Sequence, residues 1–187
     1  MKLYELKFEI QKNDKQKIIR GLGLEYSRQY VDTDYFLAPT KKGQKRKYKE
    51  VEGRTILYDL EYNKQTGLFE IKDQELTEDY SSIDQIKKEK VNQVIKRTKE
   101  VYLWPGKPVR VAFDSIEGLG DRQFCEIYDK DEASVFEAKQ RVVDLGFTRF
   151  IEKTYDEFFK KSSSIINLTI IIAIIITIAV IAYVILK

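Results

Sequence analysis

The last stretch of this chain limits most strongly what it can fold into. From Ile165 to Leu186 there are 22 residues with no charge, no proline and no glycine, and all but Asn167, Thr169, Thr177 and Tyr183 are aliphatic. A helix of that length spans about 33 Å, against about 30 Å for the hydrocarbon core of a bilayer. A helix that is apolar on every side needs apolar surroundings on every side, so the run reads as one membrane-spanning helix rather than a core helix. Ser162, Ser163 and Ser164 read as a short joint. Lys2, Glu5, Lys7 and Glu9 break any signal-like apolar run at the other end, and Lys160 and Lys161 precede the span. The expectation is a domain over 1–161, a linker over 162–164, and a C-terminal anchor over 165–186 that holds the domain on the cytoplasmic side of a membrane.

Composition narrows the chemistry of the domain. There is no histidine, which removes Ser-His-Asp and Cys-His catalysis and the common zinc sites. The single cysteine, Cys125, excludes an internal disulfide and reads as structural, pointing into an outer core. Any metal chemistry falls to carboxylates and hard cations. Setting Lys187 aside leaves a formal charge of about +2, so bulk charge gives no argument for nucleic acid.

Alternation dominates the domain. Tyr4, Leu6, Phe8 and Ile10 form one face of a strand and Glu5, Lys7, Glu9 and Gln11 the other. Asp14 to Leu22 reads as a helix ended by Gly21 and Gly23. Further strands are expected over 28–37, 46–51, 55–62, 67–76, 96–103, 109–114 and 123–128, with a hairpin turn at Glu52-Gly53. Ile83, Ile86, Val91 and Val94 give a helical stripe, Ala133 to Leu145 a helix, and Glu152 to Lys160 a last short one. Short connections favour an antiparallel sheet, and eight antiparallel strands can close into a barrel. The polar faces carry Glu5, Lys7, Lys47, Lys49, Arg97, Lys99, Arg110, Asp114 and Glu126, two apart wherever they share a strand. Cations with a few carboxylates would suit a polyphosphate with a divalent ion, although polar strand faces more commonly just meet water.

Several segments, in order, resemble the CYTH or triphosphate tunnel metalloenzyme family, and within it the class IV adenylyl cyclases. They are YELKFEI (4–10), QYVDTDYF (29–36), KRTKEVYLW (96–104), VRVAFDSIEGLGDRQFCEIYD (109–129) and IEKTYDEFF (151–159). The resemblance implies an α+β fold: an eight-stranded antiparallel barrel, forming a tunnel, with flanking helices. It implies a partner such as ATP or another triphosphate, Mg²⁺ or Mn²⁺ as cofactor, and either hydrolysis or cyclisation to cyclic AMP. By position it assigns Glu5, Lys7, Asp114 and Glu126 to catalysis, with Glu5, Asp114 and Glu126 as metal ligands. Lys7, Lys47, Lys49, Arg97, Lys99, Arg110 and Lys153 would bind the triphosphate. The chain departs from the family at Leu3 and Tyr128, where glutamates are expected, and at Asp59 or Glu61, where a lysine is expected. A binding module without turnover is the alternative that these losses imply.

Overall fold

The described residues of the computed structural model are 2–11, 13–38, 44–75 and 91–159. Eight strands form: β1 (Lys2–Ile10), β2 (Glu25–Leu37), β3 (Gln44–Val51), β4 (Arg54–Asn63), β5 (Leu68–Glu75), β6 (Val91–Leu103), β7 (Arg110–Ile116) and β8 (Gln123–Asp129). Among the described residues, α1 (Asp14–Leu22) and α2 (Glu132–Asp144) accompany them. The strands close in the order β1-β5-β4-β3-β2-β6-β7-β8, and every pairing is antiparallel. The expected eight-stranded antiparallel barrel is therefore the fold. Closure removes the exposed edges that an open sheet would leave unpaired.

Local chemistry places the turns. Glu52 and Gly53, with φ of 49° and 73°, make the two-residue β3–β4 connection. Positive φ at both central residues gives the turn a twist that matches its flanking strands, and a glycine carries the second position without strain. Asp131 caps α2 by accepting the Ser134 N–H at 3.0 Å.

The alternation in β1, β7 and β8 separates two interiors. Leu6, Phe8 and Ile10, Val111 and Phe113, and Cys125 and Ile127 point outward into a core. That core is completed by Ile18 and Leu22 of α1 and by Val135, Ala138 and Val142 of α2. Cys125 is fully buried there, as expected. The opposite faces of the same strands point into the barrel, so on this side the wall is covered on both faces.

One expectation changes. Val91 and Val94 belong to β6, not to a helix, because β2 is long enough to pair with it from Leu37 opposite Val91 to Glu25 opposite Leu103. Cross-strand pairing along that length overrides a partial helical stripe. Residues 76–90 lie outside the described residues, as do the expected loop 39–43, the linker 162–164 and the apolar run 165–186. Among the described residues no helix is long and apolar enough to cross a membrane. A second compact unit begins at Lys153. Within it the Thr154 N–H donates to Glu157 at 3.0 Å and the Thr154 hydroxyl to Asp156 at 2.5 Å, opening a helical turn over 156–159.

Candidate functional site: a charge-paired barrel interior

The inward positions of the barrel carry buried charges. Among the described residues the cations are Lys7, Lys47, Lys49, Arg97 and Lys99, and the carboxylates Glu5, Asp32, Asp34, Asp114 and Glu126. Antiparallel register sets opposite signs directly across from each other: Lys7 and Glu126, Asp32 and Arg97, Asp34 and Lys49, Lys99 and Asp114. Opposed pairs of this kind stabilise a sheet, whereas like charges would destabilise it.

Arg97 is the hub. Its Nε and Nη2 donate to the two oxygens of Asp32 at 2.5 and 3.0 Å, a bidentate clamp. Nη2 lies 3.5 Å from Asp34, and Nη1 lies 3.2 Å from Asp114 and 3.5 Å from Glu126. Lys99 bonds Glu126 and lies 3.0 Å from Asp114. Lys7 sits between Glu5 at 2.8 Å and Glu126 at 3.2 Å. Lys47 donates to Asp34 at 2.6 Å, and Lys49 lies 3.4 Å from Asp32.

Burial and pairing compete at each group, and the outcomes differ. Burial disfavours the Asp32 and Glu126 carboxylates, but Arg97 on the first and Lys99, Lys7 and Arg97 on the second hold both below the usual range. Burial prevails at Lys47: with Lys49 and Arg97 nearby it outweighs Asp34 and brings the ammonium down to about 8. Burial, reinforced by the neighbouring Glu126 charge, lifts Asp114 to about 6 despite Lys99 and Arg97. Burial raises the Tyr128 phenol to about 12, so it stays protonated and can donate a hydrogen bond.

Beside this network lies a cavity of about 100 Å³, and Leu3, Tyr30, Tyr58, Ile71 and Tyr128 line it together with Glu5, Lys47, Lys49, Arg97, Lys99 and Glu126. Such a space holds several waters or phosphate-sized groups. Aromatic rings back the cations: Lys49 lies 5.0 Å and Lys47 5.6 Å from the Tyr58 ring centre, and Lys7 lies 5.0 Å from that of Phe69.

Most sequence-selected residues therefore meet inside the barrel: Glu5, Lys7, Lys47, Lys49, Arg97, Lys99, Asp114 and Glu126. Arg110 does not join them; it is exposed at the start of β7, opposite Tyr128. Lys153 is exposed and falls in the second unit. Asp59 is not an interior residue, because it faces out and is held by Arg46 at 2.7 Å. The interior position on β4 is Tyr58. Asp32 and Asp34 were missed as site residues, although their two-residue spacing on a strand signalled a shared face.

The barrel can be compared with known proteins at this point. No protein-family model matches the chain, and no curated protein matches it. Solved structures do. A protein of Pyrococcus horikoshii superposes with a TM-score of 0.64 at 21% identity, covering 86% of this chain and 99% of its own. A candidate adenylate cyclase of Vibrio parahaemolyticus gives 0.60 at 15% identity, covering 84% and 97%. A Hippeastrum protein, described as a candidate adenylyl cyclase with a dominant triphosphatase activity, gives 0.55 at 10% identity, covering 87% and 96%. The chain shares their barrel fold. At these identities the likeness establishes the fold alone.

The network makes a stability prediction. Asp32→Ala leaves Arg97 and Lys49 under-compensated in a dry interior, and should cost about 3–5 kcal/mol. Asp59→Ala, in an exposed pair, should cost no more than about 1 kcal/mol. Urea unfolding of the two variants checks the contrast.

Proposed function

We propose that this chain binds the phosphates of a triphosphate-bearing substrate inside the barrel and turns that substrate over, by triphosphate hydrolysis or by cyclisation of ATP. The observation that carries the reading is the set of inward cations on β1, β3 and β6, neutralised by carboxylates of the strands around them instead of water and opening on a cavity. Barrel neighbours described as a candidate adenylate cyclase and as having triphosphatase activity support it. So does the ordered resemblance to the triphosphate tunnel metalloenzymes.

In this reading Lys47, Lys49, Arg97 and Lys99 hold phosphate oxygens, and Lys7 reaches the innermost one. The carboxylates that hold these cations in place keep them aimed before substrate arrives, so little reorganisation is needed as charge builds in the transition state. Asp114, lifted to about 6, is the group best placed near neutrality to take or give a proton.

A divalent ion fits in a limited sense. Glu5 and Glu126 both flank Lys7 Nζ and offer the oxygen donors that Mg²⁺ or Mn²⁺ prefers. Among the described residues no group of three or more metal-binding side chains converges, so phosphate and water oxygens would complete the coordination. When bound, such an ion would withdraw charge from a phosphoryl oxygen.

The second reading is a binding module without turnover. It is favoured by Leu3 and Tyr128, which line the cavity where the resemblance calls for glutamates. The test is phosphate or cyclic AMP release by the full chain in detergent, with ATP or tripolyphosphate and Mg²⁺ or Mn²⁺. Release is expected. Saturable binding without release establishes the module, and no binding at all removes both readings. Lys49→Met should weaken triphosphate binding about 10- to 100-fold, the range expected when one hydrogen bond to a charged group is lost.

Binding should also depend on pH with a definite sign. Lys47 titrates near 8, so it is charged below that pH and loses its charge as pH rises. Affinity for tripolyphosphate should therefore fall as pH rises through 8, with proton uptake on binding at that pH. Lys47→Met should flatten this dependence; calorimetry in buffers of different ionisation enthalpy reads both.

We further propose that residues 165–186 tether this barrel to a membrane. The support is the uncharged run itself, at bilayer length. The full chain should stay with membranes through an alkaline carbonate wash, whereas a chain ending at Lys161 should be released.

A further inference from the structure

Tyr30 and Tyr128 both line the cavity, and both are half-buried. Register places Tyr30 opposite Lys99 on β6 and Tyr128 opposite Glu5 on β1. A cation packs over each ring: Arg28 lies 5.0 Å from the Tyr30 ring centre, and Lys99 lies 5.8 Å from that of Tyr128. These contacts engage the ring faces and leave the hydroxyl edges unused. Among the described residues neither hydroxyl bonds a protein group, and neither oxygen is sealed off from the cavity.

The carboxylates of the same wall are already engaged. Among the described residues Glu5 and Glu126 are the acids that line the cavity, and protein cations hold both. Lys7 lies 2.8 Å from Glu5 and 3.2 Å from Glu126, Lys99 bonds Glu126, and Arg97 Nη1 lies 3.5 Å from it. Positions 3 and 128 supply no further carboxylate. A divalent ion entering alone would have to displace an ammonium from each acid, and among the described residues it would meet no group of three protein ligands. An anion entering alone meets Lys99 and two phenols. A phenol is protonated at neutral pH, so it donates a hydrogen bond to an anionic oxygen with no cation between them. A carboxylate at the same place would repel the anion until a metal ion joined the two.

Building on the proposed triphosphate site, we infer that Tyr30 and Tyr128 are ligand-binding residues, whose hydroxyls donate to phosphate oxygens in the cavity and make binding independent of a divalent ion. The form of ligand that the site takes is the uncomplexed triphosphate anion. Any divalent ion acts on a substrate that is already bound.

Calorimetry tests this, with the full chain in a non-ionic detergent and tripolyphosphate as ligand, once in excess chelator and once in Mn²⁺. Saturable binding is expected in chelator. Tyr30→Phe and Tyr128→Phe keep both rings, and each should weaken that binding about 10- to 100-fold, the loss of one hydrogen bond to a charged group, with urea midpoints unchanged. Tyr128→Glu should make binding depend on Mn²⁺. In chelator the ligand should also perturb the tyrosine absorbance of the wild-type chain, a reading that needs no variant. Wild-type binding only in Mn²⁺, a phenylalanine variant that binds as tightly as the wild type, or an unperturbed tyrosine spectrum overturns the inference and leaves the triphosphate site standing. Absence of tripolyphosphate binding in both conditions overturns the site itself, and the inference with it.

Discussion

The Arg97–Asp32 clamp is the interaction on which the interior depends. A guanidinium 3% exposed would be intolerable alone; Asp32 meets it with two bonds, Asp34 adds to Nη2, and Asp114 and Glu126 flank Nη1. Those carboxylates then hold Lys47, Lys49, Lys99 and Lys7. The charged side chains of six strands are therefore one connected lattice, and its internal cancellation of charge lets a barrel keep ions where most barrels this size keep aliphatic side chains. The outer core of β1, β7 and β8 against α1 and α2 supplies the apolar burial that the lattice cannot.

Cancellation also shapes what a ligand must do. In the proposed reading a phosphate entering the chamber would compete with carboxylates already bonded to the cations, so binding would be an exchange of anions rather than a filling of empty charge. The gain comes from phosphate offering more acceptor oxygens per group than a carboxylate and from water leaving the cavity. Two groups have slack in this exchange. Lys47 gives up its proton most readily among the cations whose values shift, and Asp114 is the most easily protonated of the acids that do. Protonating Asp114 frees charge on Arg97 and Lys99, and charging Lys47 adds one more phosphate partner. Both changes favour an incoming anion, and both are promoted by lower pH.

The sequence revealed much of this, for one physical reason: a strand's period of two is strict. Glu5 with Lys7, Lys47 with Lys49 and Arg97 with Lys99 could be placed on shared faces before any fold was known. Alternation cannot say whether a polar face meets water or a closed interior, since that depends on which strands pair. The same gap explains Asp59, one residue off the inward position held by Tyr58, and Arg110, inward by parity but at a strand end where the wall stops. Asp32 and Asp34 lay in plain view in QYVDTDYF; as acids among cations they read as stray charges until register set them against Arg97 and Lys49. Val91 and Val94 read as helical because a stripe of four apolar residues constrains a helix weakly, whereas twelve residue pairs with β2 constrain a strand strongly.

The departures at Leu3 and Tyr128 take on a different weight once levels in the barrel are distinguished. Both line the half-buried cavity side, one interior step from Glu5 and Glu126, and those two acids remain at the buried level around Lys7. The lattice that orients the cations is thus complete without carboxylates at positions 3 and 128. With Leu3 and Tyr128 there, the entrance is apolar and aromatic. An anionic rim repels a polyphosphate unless cations screen it; a rim of Leu3, Tyr30, Tyr58 and Tyr128 does not, and it offers flat surfaces to an organic group that follows the phosphates in. Having no carboxylate at positions 3 and 128 weakens the case for a second divalent ion more than it weakens the case for phosphate binding.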